Sequence, residues 1–166
     1  MKLAAPLLAL ALGSCNIATV LPADPAGRLD PIAFFEGRTR GEGILHRLLA
    51  SDLRIRVEST GRRDARGGLI LDQSIREGDT APRLRRWVLH RAGPNRLTGS
   101  LTDAGGPVTG TFSGPRATIR YRMRNGLDVE QHLALQSDGR TLLNELSVRR
   151  AGVRVARLEE TIRKLD

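Results

Sequence analysis

Apolar and polar residues alternate with a period of two over most of the chain from Gly41 onwards, and this pattern constrains the fold most strongly. In residues 53–58, Leu, Ile and Val alternate with two Arg and a Glu. The same alternation recurs at residues 69–76, 97–102, 118–124, 127–135 and 142–149. It is typical of strands that bury one face and expose the other to water. The chain is therefore predicted to form an all-β domain.

Glycine-containing turn signals separate the alternating segments. The clearest is Asn125-Gly126, because Asn-Gly between two alternating runs is typical of a β-hairpin turn. Other turns are predicted at Thr60-Gly61, Arg66-Gly67-Gly68, Glu77-Gly78-Asp79, Ala92–Asn95, Ala104–Pro107, Ser137-Asp138-Gly139 and Ala151-Gly152. Short strands separated by close turns predict an antiparallel meander that closes into a barrel of about 8–10 strands.

Two segments at the ends of this region need a separate interpretation. Residues 31–37 form a dense apolar cluster, which predicts a short helical turn that caps the barrel. Residues 153–165 fit either a closing strand or a terminal helix. A strand to about Glu160 is favoured, because Val153 and Val155 alternate with Arg154.

The first fifteen residues have the organisation of a lipoprotein export signal. After Lys2, the apolar run of residues 3–12 is about ten residues long, well short of the roughly 20 needed to span a bilayer. The following Leu12-Gly13-Ser14-Cys15 resembles a lipobox, where bacterial lipoprotein precursors are cut before the cysteine. The thiol of Cys15 would take a diacylglycerol and its freed amine a third acyl chain. The alternative is a plain secretory signal with an incidental cysteine.

This interpretation divides the chain into three parts. Residues 1–14 are the signal peptide, residues 15–30 a short tether, and residues 31–166 the β-barrel domain. The mature protein is predicted to be exported and held at the bacterial cell envelope, with the membrane as its partner through the lipid anchor. Asn16, in place of the Asp that retains lipoproteins in the inner membrane of enteric bacteria, favours the outer membrane and its periplasmic face.

Composition narrows the class of partner. The formal net charge is +9, and only Lys2 and Lys164 are lysines. A basic surface attracts phosphate, nucleic acid or anionic lipid, but the arginines are spread along the chain, as a GC-rich genome would also produce. Nucleic acid is not expected, because the protein is predicted to be exported and has few aromatic residues for base stacking. Cys15 is the single cysteine, so a disulfide within the chain is excluded.

Five residues are candidate ligand contacts. Trp87, the only tryptophan, either lines a ligand cavity or packs in the core, and Tyr121 lies on the apolar face of another predicted strand. Three arginines occupy alternate positions on the polar face of that strand: Arg120, Arg122 and Arg124. Such a stripe suits phosphates of lipid head groups or lipopolysaccharide, and the alternative is a solvated face. Arg54 and Arg56 would extend the stripe if their strand lies close to it.

The sequence contains no recognised catalytic or metal-binding motif, so no catalytic residue, metal or cofactor is predicted. His46, His90 and His132 lie on predicted strands without the spacing of metal ligands. In the segment 110–114, the serine is misplaced for a nucleophile elbow. Several acids fall mostly on predicted outer faces or in turns: Asp72, Glu77, Asp79, Asp103, Asp128 and Glu130.

Several short elements occur in a characteristic order: Phe34–Gly37, Gly41-Glu42-Gly43, Arg85–Leu89, Leu97–Asp103, Gly110, Gly114, Arg120-Tyr121, Leu143-Asn144 and Gly152–Ala156. In this order they resemble a family of bacterial lipoproteins known only as domain of unknown function 3833, over residues 34–164. The chain departs from it at Gln131-His132-Leu133, where an Asp-Trp-Met-like stretch is expected. The resemblance implies a lipocalin-like up-and-down barrel. It implies no activity and no catalytic residues.

Three functions are open to such a barrel. The favoured hypothesis is a binding module, not an enzyme, that holds a small apolar or amphiphilic ligand such as a lipid in its interior. The alternative is a structural or interaction lipoprotein whose Arg-rich outer face binds anionic envelope components. An enzyme on this scaffold would need polar side chains that converge inside the barrel. The oligomeric state is left open.

Overall fold

The computed structural model describes residues 20–166, in which one short helix precedes ten β-strands. The elements are α1 (Pro31–Phe34), β1 (Gly37–Arg47), β2 (Ala50–Arg63), β3 (Leu69–Glu77), β4 (Arg83–Gly93), β5 (Arg96–Leu101), β6 (Val108–Ser113), β7 (Arg116–Arg122), β8 (Asp128–Leu135), β9 (Thr141–Arg150) and β10 (Val153–Lys164). Consecutive strands pair antiparallel, and β1 pairs with β10, so the sheet closes into a barrel. The predicted fold is confirmed, with ten strands in the described part.

The predicted alternation decides which face of each strand is buried. On β2, Ile55 and Val57 are buried while the intervening Arg56 is exposed. On β7, Ile119 and Tyr121 are buried on the inner face. The inward side chains of the strands form one continuous apolar core. Burying this face is the main favourable contribution to folding, so the alternating pattern and the closed sheet have the same cause.

Two turn predictions have opposite outcomes. Asn125-Gly126 joins β7 to β8, and Gly126 has a φ of 81°, in the left-handed region that a tight turn requires. The turn predicted at Thr60-Gly61 is wrong, because both residues lie within β2. Gly61 faces inward, and a Cβ there would overlap the carbonyl oxygen of Phe35. This glycine therefore permits a close approach of two backbone segments and does not end the strand.

The last strand is longer than predicted. β10 continues past Glu160 to Lys164, so a closing strand is correct and a terminal helix is not. A bulge between Arg154 and Ala156 shifts its register against β9. Val153 pairs with Arg150 where β10 begins and β9 ends, beyond the buried core, so it is exposed although its alternation predicted an inward position.

The predicted capping turn is confirmed and closes one end of the barrel. The carboxylate of Asp30 accepts a hydrogen bond from the Ile32 backbone N–H at 3.1 Å, which caps the helix. Ile32 and Phe34 are buried. The rings of Phe34 and Phe35 meet edge to face with centroids 5.2 Å apart. We call residues 31–35 the cover, and the end that they close the covered end.

The residues before the cover lie against the covered end. The Arg116 guanidinium donates to the Leu21 carbonyl at 2.7 Å, and the Gln136 amide donates to the Pro22 carbonyl at 2.8 Å. The described part of the predicted tether, residues 20–30, is thus held to the barrel by hydrogen bonds. The predicted signal peptide and Cys15 lie outside the described residues.

Within residues 20–166, no helix is long and apolar enough to cross a lipid bilayer.

Candidate functional site

The barrel encloses a cavity of about 220 Å³. Its lining is mainly aliphatic and aromatic and comes from β1–β4 and β7–β10, with Phe35 of the cover. At the opposite end, which we call the mouth, Glu77 and Arg83 line the cavity and are 35% and 43% exposed, so the cavity reaches solvent there. Because an apolar cavity of about 150 Å³ can hold benzene, this one has room for a small organic ligand.

Trp87 lies in the cavity wall and is only 4% exposed. Its indole N–H donates to Gln73 Oε1 at 2.6 Å. The Gln73 amide in turn donates to Ser59 Oγ at 3.2 Å. The indole also meets the ring of Tyr121 edge to face, with centroids 5.4 Å apart. The two aromatic ligand contacts expected from the sequence therefore lie together on the cavity wall, with the indole N–H satisfied.

Glu160 is the buried acid of the cavity, at 9% exposure. Asn144 on the neighbouring strand donates from Nδ2 to Glu160 Oε2 at 2.8 Å. The other carboxylate oxygen, Oε1, lies over Gly41, where a Cβ would overlap it. The missing side chain at Gly41 therefore makes the space that the carboxyl group occupies.

Burial governs the acid–base properties of the cavity. It raises the pKa of Glu160 above the usual range for a glutamate, and this effect outweighs the hydrogen bond from Asn144 and the charge of Arg85, which act in the opposite direction. Burial likewise raises the pKa of Tyr121, against the charges of Arg85 and Arg83. The tyrosine is therefore a neutral hydroxyl at physiological pH.

An ion-pair network lies at the mouth. Arg83 donates to Glu77 at 3.2 Å and to Asp103 at 2.9 Å. Arg85, whose side chain is only 10% exposed, donates to the same Asp103 oxygen at 3.1 Å. The positive charges of Arg83 and Arg85 are thus balanced by the negative charges of Glu77 and Asp103. The prediction that Glu77 belongs to an outer face or turn is wrong, because it ends β3 on the inner face and lines the cavity.

The three arginines predicted as a binding stripe lie outside the barrel. Arg120 contacts Glu130 with an N–O distance of 2.5 Å, and Arg122 contacts Asp128 at 3.6 Å. Arg124 follows the end of β7 and contacts the backbone of the β5–β6 loop. Partial burial raises the pKa of Glu130, but hydrogen bonds from Arg120 and a neighbouring histidine outweigh it and lower that pKa. Exposed ion pairs of this kind contribute at most about 1 kcal/mol to stability. A role of the three arginines in anion binding stays a prediction.

The suggested extension of this stripe by Arg54 and Arg56 is wrong. Both lie on β2, which pairs with β1 and β3, whereas the stripe is on β7 and pairs with β6 and β8. Arg56 instead contacts Glu42 of β1, with an N–O distance of 3.3 Å.

The histidines lie on strands, as predicted, and each has a carboxylate neighbour. His46 contacts Asp52 at 2.8 Å, and His132 contacts Glu130 at 2.7 Å. His90 lies 3.5 Å from a third carboxylate, that of the β2–β3 loop. Among residues 20–166, no group of three metal-ligating side chains converges on one point.

Four polar residues that line the cavity were not predicted from the sequence as cavity residues. Gln73 interrupts the inner apolar face of β3, Gln131 that of β8, and Asn144 that of β9. Glu160 does the same on β10. The signal that would have identified them is their position, because each lies at an even spacing between two inward apolar residues of one strand.

A closed antiparallel meander around an internal cavity defines a lipocalin-like protein. The chain belongs to the family described as "Protein of unknown function (DUF3833)", which matches residues 9–164. The resemblance recognised in the sequence is thereby confirmed. No curated protein sequence matches the chain.

Solved structures that are similar to this barrel include a phycobiliprotein lyase and a protein from M. tuberculosis. The S-type phycobiliprotein lyase CPES from Guillardia theta aligns with a TM-score of 0.65 and 7% identity, over 81% of this chain and 90% of that one. Rv2717c from M. tuberculosis aligns with a TM-score of 0.63 and 15% identity, over 84% of this chain and 100% of that one. At these identities the likeness shows the fold alone.

Proposed function

We propose that this protein is a membrane-anchored, non-catalytic lipocalin-like module that binds one small apolar or amphiphilic ligand inside its barrel. The observation that carries the proposal is the cavity of about 220 Å³ lined mainly by apolar side chains and reaching solvent at the mouth. Transfer of apolar ligand surface out of water into such a cavity contributes roughly 25 cal/mol per Å². Small-molecule sites commonly combine an apolar lining with a few placed polar groups.

Binding is favoured over catalysis by the arrangement of the polar groups. The two carboxylates that line the cavity have different positions and partners. Glu160 is buried beside Asn144, and Glu77 is ion-paired with Arg83 at the mouth. A carboxylate pair for acid–base chemistry needs both groups converging on one reacting bond. One structural relative is a lyase, so a catalytic role is the alternative that a bound ligand recovered unchanged would exclude.

Filling the cavity tests the proposal. Val57→Phe adds a ring to the inner face of β2 and should weaken binding of 1-octanol at least about tenfold, because the ring occupies ligand space and tenfold corresponds to about 1.4 kcal/mol. Quenching of the single tryptophan, Trp87, in the cavity wall measures binding. Lipids co-purified with the wild-type protein and identified by mass spectrometry give an independent measurement.

Arg56→Phe is the matched control for this variant, because Arg56 neighbours Val57 on the exposed face of the same strand. It should bind 1-octanol as the wild type does. Equal binding by Val57→Phe and the wild type, or a wild type that binds no ligand and co-purifies with none, would contradict an interior binding site.

The lipid anchor is a separate part of the proposal. Cys15→Ser should move the protein from the membrane fraction to the soluble fraction, because two or three acyl chains supply about 0.8 kcal/mol per buried methylene. Ser14→Ala, which keeps a small residue beside the cleavage site, should stay in the membrane fraction. Immunoblots of fractionated cells measure both. Membrane retention of Cys15→Ser would show that another feature holds the protein.

The proposed anchor would also orient the barrel. Leu21 and Pro22 are held at the covered end. Five residues separate Cys15 from Leu21, so the two can be at most roughly 20 Å apart even when the chain is extended. The anchor would therefore hold the covered end towards its own membrane. The mouth would face away from that membrane, so ligand would enter or leave on the aqueous side.

A further inference from the structure

We propose that Glu160 and Asn144 form a polar subsite that selects amphiphiles whose head group donates a hydrogen bond, an alcohol or an amine, over those with an anionic head. This inference rests on the proposed function, because it requires a ligand inside the barrel.

One carboxylate oxygen of Glu160 is an acceptor that the protein does not use. Glu160 Oε2 accepts from Asn144 Nδ2 at 2.8 Å, but no group among residues 20–166 donates a hydrogen bond to Oε1. Asn144 Oδ1 is also buried without a partner in that part of the chain. Leaving a buried polar atom without a partner costs about 1–3 kcal/mol. A donor on the ligand can pair with the free Oε1, and one that also reached Asn144 Oδ1 would recover part of this free energy.

The charge balance of the cavity disfavours an anionic head group. Arg85 donates to Asp103 at 3.1 Å, and Arg83 is shared between Asp103 and Glu77. The cations that line the cavity are therefore already paired with carboxylates at the mouth. Within the described part of the chain, Glu160 has an amide partner and no cation in contact. An anionic head placed beside it would meet a like charge, or would have to share a proton with it.

The space around the carboxyl group suits a ligand with a polar head and an alkyl chain. Gly41 leaves room for Oε1 on one side. On the mouth side, Leu45, Leu146 and Leu158 occupy paired positions on three adjacent strands and line the cavity. A ligand with its head at Glu160 would thus place its alkyl chain against leucines and direct it towards the mouth.

The test compares three ligands that share an eight-carbon chain: 1-octanol, octylamine and octanoate. Isothermal titration calorimetry and Trp87 quenching at neutral pH measure their affinities for the wild-type protein. We expect octanol and octylamine to bind at least about tenfold more tightly than octanoate, a difference of about 1.4 kcal/mol. Tighter octanol identifies a protonated Glu160 in the complex, and tighter octylamine an ionised one; both support the subsite.

The variant Glu160→Gln keeps an acceptor for Asn144 and places an amide donor where Oε1 was. It should raise the affinity for octanoate about tenfold and remove the selectivity. The matched control is Glu159→Gln, the same substitution one residue earlier, where the side chain is exposed and paired with Arg157 at 2.7 Å. This control should keep the wild-type order of affinities.

The possible failures are distinguishable. Octanoate binding as tightly as octanol to the wild-type protein would overturn the subsite, whether or not any variant folds. So would an unchanged selectivity in a folded Glu160→Gln protein, with a thermal melt as the check on folding. If none of the three ligands binds, the proposed function fails, and this inference fails with it.

Discussion

Replacing Trp87 by alanine should lower the free energy of unfolding by about 3–5 kcal/mol, the usual cost of truncating a buried aromatic residue. The indole is 4% exposed and meets Tyr121 edge to face, a contact that adds about 0.5–1.5 kcal/mol to its burial. Truncation also leaves Gln73 Oε1 without its donor. Urea denaturation followed by far-ultraviolet circular dichroism measures the change, since the variant lacks tryptophan fluorescence.

Two further variants separate the causes of this loss. Trp87→Phe keeps an apolar ring but removes the N–H, so its cost should fall between the wild type and Trp87→Ala. Leu84→Ala, on the same strand, removes a side chain that is 79% exposed and should change the free energy of unfolding by no more than about 0.5 kcal/mol. A loss below about 1 kcal/mol for Trp87→Ala would show that the indole is not packed in the wall.

The barrel was predictable from the sequence because each strand carries its own alternation of apolar and polar residues. A strand with one buried face must alternate, so the segments 53–58 and 127–135 identify their own inner faces. Two errors in the fold arose where a local rule met a longer-range constraint. Gly61 has no side chain because Phe35, distant in sequence, packs against it. Val153 is exposed because it pairs with the last residue of β9, at the end of the barrel and beyond the core.

The candidate site was predictable only in part, for a different physical reason. Trp87 and Tyr121 carry apolar surface, so their patterns placed them on inner faces. Asn144 and Glu160 are polar, and polarity alone suggests an outer face, although their spacing from inward neighbours gives the opposite answer. The cavity itself depends on how inward side chains from eight strands fill the barrel. The volume left unfilled depends on all these side chains together, so no single segment of the sequence predicts it.

A substitution in the cover should also lower the stability of the protein strongly. Ile32→Ala should lower the free energy of unfolding by about 2–5 kcal/mol, because Ile32 is 0% exposed and its truncation leaves a cavity. A helix of four residues is not stable by itself. Its position depends on burial of Ile32 and Phe34, and on contacts such as the hydrogen bond from Lys164 Nζ to the Phe34 carbonyl at 3.0 Å.

The form of the transition distinguishes two descriptions of the cover. Ile32, Phe34 and Phe35 belong to the same buried cluster as the inward residues of the barrel. We therefore expect Ile32→Ala to unfold in one transition at a lower midpoint, with an unchanged slope against urea. The control Ala33→Ser alters an exposed position of the same helix and should change stability by no more than about 0.5 kcal/mol. A separate early transition in Ile32→Ala would show that the cover detaches while the barrel stays folded, so that the cavity becomes accessible from both ends.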